Sequence, residues 1–210
     1  MRNSWLICVL LILAVAVGGC AKKKVQLPET KPPLTPVEPL ARPLTPEQQE
    51  VQKILDQNGF KKSGSKPTII MVRKQDRRLT VYRGLTRVKS YPVVLGANPR
   101  NDKLSQGDRC TPEGVYRVVT KFDHPRWDKF ILLDYPNTQN WLRFNKAKQA
   151  GRLPHDALIG GEIGIHGTHD PMMNVMGENW TFGCVSLLNH HIEEIYPLVG
   201  ENTLVVIKRQ

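Results

Sequence analysis

Acyl-transfer chemistry is possible between Gly161 and Asn189. The segment Glu162-Ile163-Gly164-Ile165-His166-Gly167-Thr168 reads as a strand ending in a histidine, and Trp180-Thr181-Phe182-Gly183-Cys184-Val185-Ser186-Leu187-Leu188-Asn189 follows it. A thiol attacks a carbonyl only as thiolate, and an unassisted cysteine with a pKa near about 8.5 holds little of that form at neutral pH. Cys184 therefore needs a nearby base, and His166 is the candidate. A glycine just before a nucleophile lets backbone approach a substrate closely, so the amides of Gly183 and Cys184 could cradle an oxyanion. Taken singly, such a Cys is more often a small buried hydrophobe and such a His a satisfied core residue. His166-x-x-His169 with Cys184 could also be drawn as a zinc site, but a zinc-bound thiolate is poorly free to attack and no fourth ligand is obvious. His190 and His191 fall at a helix start and read as surface residues, while Trp180 and Phe182 suit either a cleft wall or core packing.

Strands must carry most of this site. Apolar, Val/Ile-rich runs bounded by turn signals occur at Thr68–Arg73, Arg78–Arg83, Val88–Leu95, Val115–Lys121, Phe130–Asp134, Glu162–His166 and Leu204–Lys208. A helix is expected from about Thr138 to Ala150, ending at Gly151, and another after Asn189 with Ile192, Ile195 and Leu198 on one face. Thr45-Pro46-Glu47-Gln48 offers a cap, a first-turn proline and a capping-box glutamine, with Val51, Ile54 and Leu55 on one side of a short helix. The 16 Gly and 16 Pro also favour strands and turns over a helical bundle. With 210 residues, 40% hydrophobic and 23% charged, the chain suits one globular domain plus a tether and excludes a wholly disordered or multi-span membrane protein.

The first residues point to export. Arg2 precedes an uncharged apolar run, Leu6 to Val17, too short to span a bilayer comfortably. Val17-Gly18-Gly19-Cys20 resembles a lipobox, which implies a signal peptide over 1–19 and lipidation of Cys20; Ala21 in place of Asp suggests sorting to the outer membrane. Residues 20–45 read as a Pro-rich tether, 46–66 as helix and linker, and 67–210 as the catalytic domain. Only Cys110 and Cys184 then remain in an oxidising space, too few for a disulfide framework. The net charge of +11 invites an anionic partner. Ten basic residues between Lys61 and Lys89 alternate with apolar ones as on solvated strand faces, so anionic lipid or cell-wall carboxylates fit an exported chain, and nucleic acid does not.

The pairing of a strand-borne Ile165-His166-Gly167 with Thr181-x-Gly183-Cys184-x-Ser186-x-x-Asn189 resembles the catalytic motif of the L,D-transpeptidase (YkuD-type) family. Leu95-Gly96-Ala97-Asn98-Pro99 and Gly107 to Tyr116, with its Thr111-Pro112-Glu113-Gly114, extend the resemblance, which spans about Thr68 to Lys208. The resemblance implies a β-rich α+β fold, a sandwich with a few packed helices. It further implies an enzyme, with no metal or organic cofactor, whose Cys184 thiolate attacks a peptidoglycan stem peptide, releases D-alanine to leave a thioester, and passes the acyl group to an amine of a second stem. His166 would act as base then acid, and Gly183 and Thr181 would belong to the catalytic element. Two positions depart from the commonest pattern: Phe182 stands where His is usual, and Ser186 where Arg is usual. Arg109, Ser186, Trp180 and Gly167 are then expected at the substrate, with Arg109 or Arg143 compensating for the lost guanidinium. The Trp-Thr-x-Gly-Cys form resembles a subgroup that includes hydrolases detaching peptides or proteins from the wall. Three functions stay open: transpeptidase, same-fold cysteine hydrolase acting on a wall-linked peptide or protein, and non-catalytic peptidoglycan-binding lipoprotein.

Overall fold

Residues 43–60 and 66–210 are described by a computed structural model; the expected signal segment, Cys20 and residues 20–42 of the expected tether lie outside them. Helix α1 (Pro46–Gln57) starts as its sequence dictates. Thr45 accepts from the Gln48 amide while the Gln48 side chain takes the Thr45 N–H, closing the capping box. Eight strands follow: β1 (Thr68–Arg73), β2 (Arg78–Arg83), β3 (Thr86–Pro92), β4 (Gly114–His124), β5 (Asp128–Leu133), β6 (Gly164–His166), β7 (Val185–Ser186) and β8 (Leu204–Lys208). Helices α2 (Thr138–Gln149), α3 (Pro171–Val175) and α4 (Asn189–Ile195), with a 3₁₀ turn over Tyr196–Leu198, complete the described domain.

All eight strands form one sheet, ordered β3-β2-β1-β8-β4-β5-β6-β7. Most pairings are antiparallel; β1 with β8 and β6 with β7 are parallel. The sheet curls until its ends meet, because Val94 just past β3 bridges Ser186 and Gly96 bridges Thr181. The expected β-rich α+β class with few helices is what forms, its two layers made by one curled sheet.

Strand β1 reads as an unbroken apolar run because both of its faces are buried. Ile70 and Val72 point into the main core with Leu79, Val81, Val205 and Ile207, where α4 adds Ile192 and Ile195. Ile69 and Met71 point outward to Tyr82, Leu204 and Val206, and α1 covers them with Val51 and Leu55. That outer seam is tied by Arg73 (2.9 Å) and Lys208 to Glu50, and by Tyr82 to Glu47.

Three local differences from the sequence expectation have physical causes. Strand β3 ends at Pro92 rather than Leu95, and the chain then crosses to the far edge. Strand β6 begins at Gly164 rather than Glu162, since Glu162 sits at φ +56°, outside extended backbone. Strand β7 and α3, at two and five residues, are too short to leave a periodic signal.

Candidate active site

His166 ends β6 and is 1% exposed. Its Nδ1 lies 2.7 Å from the Gly167 carbonyl oxygen, which can only accept, so Nδ1 carries the proton and Nε2 keeps its lone pair. The imidazole lies against two rings of the β4–β5 hairpin, Trp127 at 4.5 Å between centroids and Phe130 at 5.5 Å, both nearly parallel to it. Trp180 meets it edge-on at 5.7 Å. Burial pushes its pKa down to about 4, with the Gly167 carbonyl pulling the other way. The following peptide is equally confined. A Cβ on Gly167 would sit 2.5 Å from Asn189 Oδ1 and 2.6 Å from the Trp127 carbonyl, so only glycine fits. Asn189, the first residue of α4, also accepts the Thr168 N–H at 2.7 Å.

Cys184 lies at the end of a turn fixed by Thr181. The Thr181 hydroxyl donates to the Cys184 carbonyl (2.7 Å) and accepts the Gly183 N–H (3.2 Å). Gly183 has φ +138°, and a Cβ there would meet the Cys110 carbonyl at 2.7 Å. The half-buried thiol faces the Gly164 N–H at 3.4 Å and the Glu162 carbonyl at 3.5 Å. Burial pushes its pKa up to about 11, opposed in part by the Gly164 N–H. Both shifts favour the neutral thiol and the neutral imidazole.

Cys184 and His166 line one cavity of about 530 Å³, walled by Trp127, Phe130 and Trp180. A second cavity of about 980 Å³ adjoins it, lined by Lys103, Trp141 and Lys148 among others. The two share Gly161, Glu162, Ile163 and Phe182, and Phe182 stands 74% exposed on that common rim. Among the described residues, no group of three or more His, Cys, Asp or Glu is arranged to hold a metal ion.

The fold thus brings Cys184, His166, Thr181 and Trp180 to one cavity wall. Gly183 adjoins them, but its N–H, expected to help hold an oxyanion, is already given to Thr181, which leaves the Cys184 N–H of that pair. Arg109 is exposed over the Phe182 ring at 5.5 Å and lines neither cavity. Arg143 is engaged by Asp102 and by the Glu113 carbonyl (3.2 Å), so it props the Thr-Pro segment. Ser186 and Gly167 are buried behind the wall. Cys110 is a free, buried thiol pushed up to about 11 by burial and by Asp108. Sequence reasoning missed Trp127, Phe130 and Asn174. The aromatic spacing of a hairpin was the one available sign for the first two, and α3 gave none for the third.

A model of the L,D-transpeptidase catalytic domain (YkuD) matches residues 67–207, more than half of the chain. The chain belongs to this family. Among solved structures, it is similar to the helical cell shape determining protein Pgp2 from Campylobacter jejuni: 22% identity and TM-score 0.52 over 78% of this chain and 56% of that one. The K307A mutant of Pgp2 gives 24% identity and TM-score 0.52 over 79% and 57%. Bd1075 of Bdellovibrio bacteriovorus gives 22% and 0.49 over 71% and 50%. The chain spans between 50 and 57% of these proteins, and at such identities the likeness is one of fold. No curated protein matches it. In this L,D-transpeptidase domain His166, Thr181 and Cys184 of the family pattern line the smaller of the two cavities.

Proposed function

We propose that this chain is a peptidoglycan-modifying L,D-transpeptidase that works through a Cys184 thioester. One observation carries the reading: the thiol shares a cavity with a base whose Nε2 is unprotonated, and a second cavity opens across the common rim at Glu162 and Phe182. An acyl carrier that meets two peptides in turn needs such a pair of grooves. The Cys184 proton passes to His166 Nε2 as sulfur attacks the carbonyl of the third stem residue, and the oxyanion is met by the Cys184 N–H. The C–N bond to D-alanine breaks, its amine takes the proton from His166, and a thioester remains. An amine of a second stem attacks that thioester and gives its proton to His166, which returns it to the departing sulfur. Mass analysis of purified stem peptides incubated with the protein tests this. A cross-linked dimer with released D-alanine is expected. Hydrolysed peptide alone would assign the chain to wall-cutting hydrolases, and no product at all to non-catalytic binding.

We further propose that residues 1–19 are removed, that Cys20 carries lipid, and that 20–45 tether a 67–210 catalytic domain from the outer membrane in the periplasm, with α1 and its linker between. The apolar run ending in Val17-Gly18-Gly19-Cys20 supports this. Labelled palmitate should enter the wild type and not Cys20→Ala; label retained in the variant overturns it.

A further inference from the structure

We propose that Ser186 and Asn174 are positioning residues that lock the Gly167 carbonyl, and through it His166, while tying both to the Trp180 wall of the cleft. The proposal rests on the Cys184–His166 reading above. Ser186 is 0% exposed and stands opposite His166 in the β6–β7 register. It cannot touch substrate, yet it fills the place where the family pattern usually carries an arginine.

The direction of every hydrogen bond in this chain is dictated by its two ends. Trp180 Nε1 can only donate, and it lies 3.0 Å from one side-chain atom of Asn174, which must therefore be the oxygen. The amide nitrogen of Asn174 then faces Ser186 Oγ at 3.1 Å and donates to it. With that lone pair used, the Ser186 proton is directed to the Gly167 carbonyl at 2.9 Å, a group that can only accept. Three donors thus point one way, from the cleft wall to the carbonyl, an alignment in which each bond polarises the next. The same oxygen receives His166 Nδ1–H at 2.7 Å, so both of its lone pairs are filled. Rotating that peptide would break both bonds at once. Ser186 itself is held from behind, since its N–H donates to the Val94 carbonyl at 2.9 Å. The base is thereby fixed by a path reaching Trp180, which lines the same cavity as the thiol.

Steady-state kinetics on stem peptides, with thermal midpoints, separate this from mere packing. Asn174→Asp keeps shape and accepts from Trp180, but it also accepts the Ser186 proton, turning that hydrogen away from Gly167 and leaving two lone pairs face to face. Ser186→Ala removes the donor. Each is expected to lower kcat by about ten- to a hundredfold through misplacement of the base, with KM for the donor peptide within about twofold. The double variant should be no worse than Ser186→Ala alone, because the path runs through Ser186. Wild-type kcat in Asn174→Asp, losses that only follow the thermal midpoint, or effects that multiply in the double variant would overturn it. If Ser186→Ala does not fold, Asn174→Asp decides alone. His166→Ala separates the two readings: full activity there sinks the catalytic pair and this proposal with it. An inactive His166→Ala beside wild-type-like Ser186→Ala and Asn174→Asp sinks the relay only.

Discussion

Burial acts on Cys184 and His166 in opposite directions and to one end: each is held in its neutral form. With the Cys184 thiol pushed up and the His166 imidazole of the same cavity pushed down, the neutral pair is favoured over a preformed ion pair. In the proposed mechanism the proton then moves as sulfur attacks, and thiolate accumulates as pH approaches the thiol's own pKa. Alkylation of Cys184 by iodoacetamide, followed by peptide mass, should accordingly keep rising through pH 9; a plateau reached below pH 7 would show an ion pair instead. On substrate, Cys184→Ala should abolish turnover, and His166→Ala should lower it by roughly a hundred- to ten-thousandfold without unfolding the protein, read from product mass and a melting curve. A carbapenem, a β-lactam type that thiolates of this family attack, should add its mass to wild type and not to Cys184→Ala. These two residues were legible because each is a chemical type placed within a short ordered motif. The hydrogen bonds of Ser186 were not, because they depend on Trp180, Asn174 and Gly167 converging from separate segments. Nor was the loss of the Gly183 N–H to Thr181, which follows from a turn geometry that residue types leave open.

Among the elements, α1 and the loop before β4 act on stability and on the site respectively. Helix α1 covers the outer face of β1, β2 and β8 and lines neither cavity. Leu55→Ala should therefore cost roughly 2–4 kcal/mol of stability by denaturant unfolding while leaving activity per folded molecule unchanged. The loop before β4 is gathered by Asp108, which accepts from the Leu104 (2.7 Å), Ser105 (3.0 Å) and Cys110 (3.0 Å) amides and from Lys103 (2.9 Å). Burial alone would raise its pKa, but those amides and Lys103 together hold it below the ordinary 3.8. Its contribution is full above that ordinary value and is lost as pH falls through the lower folded one. Asp108→Asn should lower the thermal midpoint at pH 7 and flatten the loss of stability seen below pH 4; equal acid sensitivity in both proteins would contradict this. Because the Cys110 carbonyl from this loop packs on Gly183, the variant should also slow turnover. The capping box of α1 and the α2 span were readable from sequence since caps are local. The parallel pairing of β8 with β1, between residues far apart in the chain, and the two-residue β7 were not.

At the scale of the whole molecule, charge and closure of the sheet divide the labour. The bridges Val94–Ser186 and Gly96–Thr181 join the ends of the curled sheet next to Cys184 in the chain, so the candidate site depends on the complete sheet. Part of the positive charge lies away from both cavities. Within the basic run after Lys61, Arg73, Lys74 and Lys89 are already paired with Glu50, Glu113 and Glu194. Arg78, Arg83 and Arg87 remain exposed on β2 and β3, away from both cavity linings. With a net charge of +11, the chain should be drawn to the carboxylates of an intact wall through such side chains. Long-range attraction of this kind is screened within a Debye length of about 8 Å at physiological salt and about 3 Å at 1 M. Co-sedimentation with purified sacculi should thus be strong in dilute buffer and fall steeply as salt rises. Replacing Arg78, Arg83 and Arg87 with Glu reverses three charges, and should release the protein at lower salt while turnover of a soluble stem peptide stays at the wild-type rate. Retention that ignores both salt and these substitutions would place wall recognition in the catalytic cleft itself, where the peptide and not the surface charge would hold the enzyme.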